Sequence, residues 1–417
     1  MKFNKWTLGL AAVGVVSLAS AARADEKVSS LQTALSNTTI SGSVSASLNW
    51  AISPGGNEQG ESPAGFIPFQ ANKQDGFNLD VVRLTIAKPE DESPWASGYQ
   101  VDLMMGPDAV GYNPSSPSIA GVSHNNSDLG IKQAYVTLRT PVGNGIDWKF
   151  GVFDTVIGYE VTDAANNPNY TRSWGYSVEP TEHTGVLASY KINDQFSISA
   201  GVANTLAAGI NTRANDYPYN GADTWHKTLM GSVTYTAPSS WGWAAGSSIY
   251  AGVVWGFNGA TTGGSVGYNA DGNQANYYAG VTLNTPWKQF TAGAAFDYVQ
   301  NYNGGFAYPT YRIDEDVAVF GLYGTYKATD KLSFNGRGEY VHGQATRDGF
   351  AAGGYSSELI SLTGTVEYDL WANVLTRVEV RWDHLGAKST LDSIYGPGNE
   401  IAKTDSVGLY ANIIYKF

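Results

Sequence analysis

Arg377, Glu379, Arg381 and Asp383 occupy every second position of one short stretch, with Val378, Val380 and Trp382 between them. A period of two places all four charges on one face of a strand. Such a face cannot lie in a dry core without a large desolvation cost, so it must meet water or charged partners. A second concentration of charge lies in residues 154–182, where Asp154, Glu160, Asp163, Glu179 and Glu182 are accompanied by a single formal positive charge, Arg172. Arg83, Arg139 and Arg337 are further arginines in strand-like stretches, and Glu339 and Glu367 lie in similar alternating positions. Acids facing arginines across a water-filled space would impose a transverse field on passing dipolar solutes. The same groups, paired with one another, would simply hold the segment in place. Both readings stand at this stage.

Catalytic constellations are weak. The five histidines, His124, His183, His226, His342 and His384, are widely spaced and show no helical pair for zinc. Gly263-Gly264-Ser265-Val266-Gly267 matches the nucleophile-elbow pattern but lacks the strand–turn–helix context that exposes a nucleophile. The acidic runs Asp314-Glu315-Asp316 and Asn269, Asp271, Asn273 lack the terminal glutamate of a calcium loop. They leave open a divalent bridge to lipopolysaccharide phosphates. Tyr302, Tyr308 and Tyr311 are candidates for stacking on sugars. Nothing calls for a cofactor or a resident metal, and no enzyme activity is expected.

Beneath these residues lies a chain with forty-nine glycines, twenty-six tyrosines, twelve tryptophans and no cysteine. The lack of cysteine excludes a disulfide framework and thiolate chemistry. A formal net charge of −12 argues against nucleic acid as a partner. Lys2 and Lys5, the apolar run Trp6 to Ser20, and Ala22-Arg23-Ala24 before Asp25 predict a cleaved export signal over residues 1–24. Its removal would take away three positive charges and no negative ones, moving the charge to −15. Residues 25–37 are expected to form a short periplasmic segment ahead of the first strand.

From Thr38 onward the pattern is that of strands. Ile40, Val44, Ala46, Leu48, Trp50 and Ile52 share one face, and Ser41, Ser43, Ser45, Ser47 and Asn49 share the other. Ile360, Leu362, Val366 and Tyr368 alternate in the same way with Ser361, Thr363, Thr365 and Glu367. Sixteen such stretches follow, near 38–52, 76–88, 97–105, 128–140, 145–153, 183–192, 195–204, 227–236, 242–256, 275–284, 287–301, 317–327, 331–343, 358–369, 374–384 and 405–417. Long connections alternate with short turns between them. The second stretch slips phase near Val81-Val82, which points to a bulge. The last ends in Tyr415 and the terminal Phe417 on one face. Long loops on one side, short turns on the other, and strands apolar on one face predict an all-β fold: a transmembrane antiparallel up-and-down barrel of about sixteen strands in the bacterial outer membrane. Trp50, Trp148, Tyr190, Trp255, Tyr340, Trp382 and Tyr415 are candidates for its interfacial girdles. An interior this wide needs something to narrow it. The longest connection, 154–182, is expected to fold inward as a constriction, with Arg83, Arg139, Arg337, Glu339, Glu367, Arg377, Glu379 and Arg381 on the facing wall.

Within Gly151 to Tyr190, the residues Gly151, Phe153, Gly158, Glu160, Asn167, Asn169, Tyr170, Arg172, Pro180, His183, Thr184 and Gly185 resemble the OmpL-like β-barrel porin family. Thr38 to Trp50 and the terminal Phe417 are similar to it as well. The resemblance implies a porin-like barrel without a catalytic residue or a defined substrate. The expected function is passive diffusion of ions and small hydrophilic solutes. A substrate-preferring channel, for instance for sugars, and a closed structural or adhesion barrel are the alternatives. Expected partners are outer-membrane lipid, lipopolysaccharide and two further copies in a homotrimer. Net charge alone predicts a cation preference, weakened by screening over about 10 Å at 0.1 M salt.

Overall fold

The computed structural model describes residues 37–53, 73, 75–112, 129–206, 215–216, 221–222, 227–257, 273–300, 313–347, 355–386 and 405–417. The predicted export signal, His124, His226, the Gly263–Gly267 pattern, Asn269, Asp271, Tyr302, Tyr308 and Tyr311 lie outside these residues, as do the side chains of Asn273, Asp314 and Glu315.

Sixteen strands close into one antiparallel barrel. They are β1 (Thr39–Ser53), β2 (Gly76–Lys88), β3 (Ser97–Met105), β4 (Leu129–Thr140), β5 (Ile146–Asp154), β6 (Glu182–Lys191), β7 (Phe196–Ala203) and β8 (Thr228–Thr236). The second half comprises β9 (Ser248–Phe257), β10 (Asn273–Asn284), β11 (Phe290–Gln300), β12 (Ile313–Lys327), β13 (Leu332–Arg347), β14 (Tyr355–Trp371), β15 (Val374–Leu385) and β16 (Asp405–Lys416). Each strand pairs with its sequence neighbours, and β16 pairs with β1 to complete the ring. A two-stranded sheet, Asn215–Asp216 with Gly221–Ala222, lies in the connection between β7 and β8.

The sidedness of these strands is the reverse of a water-soluble protein. In β1, Ile40, Trp50 and Ile52 are exposed on the outside while Ser43, Ser45, Ser47 and Asn49 are buried within. In β15, Val378 and Val380 face outward and Arg377, Glu379, Arg381 and Asp383 face inward, fully covered. Hydrocarbon outside and polar groups inside account for both faces, because closure leaves no backbone edge unpaired in lipid.

Local chemistry sets the irregular points. The phase slip in β2 is a bulge: Ser45 pairs with Val81 and Ala46 with Leu79, so Asp80 is the extra residue. The bulge turns Asp80 inward, where Ser45 and Ser47 donate to its carboxylate at 2.8 and 2.7 Å. One predicted boundary moves. Residues 242–247 were expected to begin the ninth strand, but Ser239–Ala244 form a 3-10 turn and β9 starts at Ser248. Gly242 there has φ of +61°, a left-handed conformation that breaks the extended run despite the flanking Trp241 and Trp243. Conversely, β12 begins four residues before the expected start at 317, and β13 and β14 extend into the connection expected at 344–357.

The C-terminus locks the seam. Phe417 and Gly42 exchange two backbone hydrogen bonds, each 3.0 Å long. A Cβ on Gly42 would lie 2.6 Å from the Phe417 ring, so only glycine admits the ring over β1.

Candidate functional site: the loop inside the barrel

Between β5 and β6 the chain turns into the lumen instead of over its rim. Val156, Ile157 and Tyr159 join Phe153, Leu187, Met230, Val254 and Tyr323 in an apolar cluster inside the barrel. Tyr159 stacks on Tyr323 at 4.0 Å between ring centroids. This cluster dries out the half of the interior lined by β6–β12 and anchors the stem of the loop.

Beyond the stem, short capped pieces keep the chain compact. Asp163 caps a 3-10 turn, Ala164–Asn166, by accepting from Ala165 N at 3.0 Å. Ser173 caps the five-residue helix α1 (Trp174–Val178) by accepting from Tyr176 N at 3.0 Å. Gly158 has φ of +115°, and a Cβ there would stand 2.5 Å from the Glu179 carboxylate. Glycine is therefore required where the two limbs of the loop meet.

The tip is held by the charged face of β13–β16. Glu379 accepts from the backbone N–H groups of Tyr170 and Thr171 at 2.6 and 2.9 Å, and from the hydroxyls of Thr171 and Thr365 at 2.6 Å each. Arg377 donates to the carbonyls of Ala164, Asn169 and Asn167 at 2.7, 2.9 and 3.1 Å. Arg381 donates to the Arg172 carbonyl at 2.6 Å and pairs with Asp383 at 2.7 Å. Trp174 then donates its indole N–H to Asp383 at 2.7 Å. Arg337 pairs with Glu160 at 2.7 Å and with Glu339 at 2.9 Å, all three side chains having no exposed surface. Glu339 also accepts from Trp174 N at 2.6 Å. A backbone without regular structure survives at membrane depth only where its polar groups find partners, and this wall supplies them.

The remaining sequence candidates divide into groups. Asp163 pairs with Arg83 at 3.1 Å, and Arg83 also pairs with Asp102 at 2.9 Å. Asp154 contacts Lys132, which lies 3.8 Å from Glu182 and donates to the Thr181 carbonyl at 3.0 Å. Arg172 folds back on its own loop, donating to the Thr162 carbonyl at 2.6 Å and lying over the Tyr176 ring. Glu179 faces Asp297 of β11, and burial followed by that neighbouring carboxylate holds its carboxyl well above the usual range. Glu367 is buried opposite Arg377 in the β14–β15 register. Arg139 stands apart: it pairs with Asp147 at 2.5 Å and donates to the Asn144 carbonyl at the short-turn end. His183 is buried against the Thr155 hydroxyl at 3.1 Å, and His384 lies on the outer face beside Asp405 at 2.9 Å.

Several partners escaped the sequence reading. The Tyr170 hydroxyl lies 2.9 Å from both Asp80 and Ser47 and accepts from Lys73 at 3.2 Å. Lys73 also pairs with Asp80 at 3.1 Å and Asp108 at 2.9 Å, so the first three long connections meet at one point. Burial works to lower the Lys73 pKa, but Asp108, Tyr170 and Asp80 outweigh it and raise it. Burial pushes the Tyr170 hydroxyl up to about 12. Alternation in β3 and β5 could have flagged Asp102 and Lys149 as inward charges. Lys132 is in phase with the lipid-facing Val136 and Leu138 and turns inward only as the extra residue of a bulge against β3.

The profile of the family Putative beta-barrel porin-2, OmpL-like, matches residues 37–417, the whole barrel and its inward loop. The chain belongs to this family. It is an outer-membrane porin of bacteria, and its fold is shared with solved porins of very different sequence. OmpF of Salmonella typhi, solved with daunomycin, superposes with a TM-score of 0.55 at 12% identity, covering 91% of this porin and 97% of that chain. The in-vitro folded OmpT of Vibrio cholerae in its trimer form gives 0.54 at 14%, covering 91% and 99%. The outer membrane channel DcaP of Acinetobacter baumannii gives 0.53 at 14%, covering 91% and 97%. A search of curated proteins found no match.

Proposed function

We propose that this porin is a passive diffusion channel for ions and small hydrophilic solutes, narrowed by the loop between β5 and β6. The observation that carries this reading is an asymmetry of the interior. Inward side chains of β13–β16 are sealed against the loop, whereas Arg83, Thr85, Gln100, Tyr135 and Lys149 on β2–β5 keep surface accessible to water. Solute would therefore pass between the loop and the β2–β5 wall, selected by width and by charge. The wall arginines Arg337, Arg377 and Arg381 are engaged by the loop. Their pairing supports a clamping role, so the transverse-field reading shifts to the Arg83–Asp163 contact at the edge of the water-lined strip. No step in this transport needs bond making or a cofactor. The export signal at residues 1–24 would deliver the chain to the envelope, where the apolar outer face meets lipid and lipopolysaccharide. A homotrimer is the proposed assembly, supported by the trimer form of the Vibrio cholerae neighbour.

The test is single-channel recording of the refolded protein in a planar bilayer, followed by liposome swelling with sugars of graded size. Ohmic conductance and a swelling rate that falls smoothly with sugar size are expected. A silent membrane would favour a structural barrel, and saturable uptake of one sugar would favour a substrate-preferring channel.

A further inference from the structure

Among the described residues, the inward-facing cations of β2–β5 have carboxylate partners at contact distance, with one exception, while Arg377 on the sealed wall is held by three loop carbonyls. Arg83 pairs with Asp102, Lys132 with Asp154, Lys73 with Asp80, Arg337 with Glu160, and Arg381 with Asp383. Lys149 of β5 forms no such ion pair among the described residues. Its Nζ lies instead over the Tyr135 ring, 4.7 Å from the centroid. The alternation of β5 fixes its direction: Phe150 is exposed on the lipid face, so Lys149 and Phe153 point inward. In the β5–β6 register Lys149 sits opposite Leu187, a buried member of the apolar cluster. The ammonium thus has an aromatic face on one side and an apolar wall on the other, and it keeps surface open to the lumen.

We propose that Lys149 is a specificity-determining residue of the channel, recruiting small inorganic and carboxylate anions to the narrowed strip beside Tyr135. The inference rests on the channel reading above and deepens it. An ammonium held against a ring face retains its charge, because the quadrupole attracts the cation without neutralising it. The carboxylates that act on Lys149 are those of Asp154, Glu90 and Asp102. They form no contact-distance ion pair with it, and Asp154 and Asp102 are already engaged by Lys132 and Arg83. Close to low-dielectric walls a single unpaired charge acts strongly on an ion within a few ångströms. The acidic net charge, −12 in the full chain, acts from much farther away. It is screened over about 8 Å at physiological ionic strength. Local charge therefore opposes net charge, and the narrow strip favours anions more than the composition implies.

The experiment is the reversal potential of the full-length porin in planar bilayers across a potassium chloride gradient, for wild type, Lys149→Arg, Lys149→Gln and Lys149→Glu. The ratio of potassium to chloride permeability should rise from wild type to Lys149→Gln and rise further in Lys149→Glu. Lys149→Arg should stay at the wild-type value. Lys191→Gln, on the exposed pair with Asp194 in a short turn, serves as the charge control and should leave the ratio unchanged. If Lys149→Glu prevents folding, judged by circular dichroism, Lys149→Gln and Lys149→Met carry the comparison, since both keep the stem beside Tyr135. Conducting variants whose reversal potential equals that of wild type would overturn the assignment of Lys149 while leaving the channel intact. A wild-type protein that carries no current would overturn the channel reading, and this assignment with it.

Discussion

Two walls of one barrel carry similar residue types and do different work. On β13–β16, arginines and carboxylates are sealed from water and spend their hydrogen bonds on the backbone of the inward loop. On β2–β5, Arg83, Tyr135 and Lys149 remain wet, and that wall meets the loop at fewer points, through Arg83 with Asp163, Lys132 with Asp154 and the Thr181 carbonyl, and Asp80 with Tyr170. The difference teaches that a charge in a lumen cannot be assigned a role from its sign alone. What matters is whether its partners are protein or passing solute. A buried ion set with complete partners is a mechanical fastener, and removing one member is costly because the others stay buried.

The sharpest way to break this comparison is Glu379→Ala. It removes the acceptor of two loop N–H groups and two hydroxyls, and should cost about 3–5 kcal/mol of stability. The loop tip should loosen, giving a lower melting temperature in detergent and larger, noisier single-channel currents. Unaltered currents would mean that the fastener does not set the aperture.

A smaller effect is expected from the Glu160–Arg337 pair. In a double-mutant cycle with Glu160→Gln and Arg337→Met, the coupling should be about 2 kcal/mol, read from denaturant unfolding. Coupling near zero would show that Arg337 is held without Glu160, by Glu339, Thr171, Thr363 and the Arg172 carbonyl. On the wet wall, by contrast, Asp163→Asn should change conductance more than stability, because Arg83 keeps Asp102.

The smallest effect lies at the short-turn end. Burial, then the neighbouring Asp147, pushes the Glu90 carboxyl up to about 7. A carboxyl raised on folding contributes stability below its unfolded pKa and loses it as pH rises through the folded value. Thermal stability should therefore decline slightly between about pH 4.3 and 7. Glu90→Gln should flatten that slope, and an unchanged pH profile would remove Glu90 as its source.

Much of the barrel was legible because lipid imposes a period of two on every strand. Gly76–Lys88 and Ser97–Met105 coincide with the expected stretches, and the β2 phase slip marked the Asp80 bulge. The start of β9 was not legible, since Trp241 and Trp243 carry strand-like composition while Gly242 sets a turn through its backbone. In the loop, residue types announced an acidic segment but not its partners. Glu160 meets Arg337 across 177 positions of sequence, and Tyr170 N meets Glu379 across 209. Such pairings depend on how far the loop reaches across the lumen, which no local pattern encodes. Lys149 was hidden for the opposite reason, because its role follows from the partner it lacks.

The two hydrogen bonds between Gly42 and Phe417 join the first strand to the far end of the last one. The cylinder is therefore sealed by the two stretches of chain that lie farthest apart in sequence. A variant in which either stretch cannot pair would present two raw borders to the lipid instead of a finished seam.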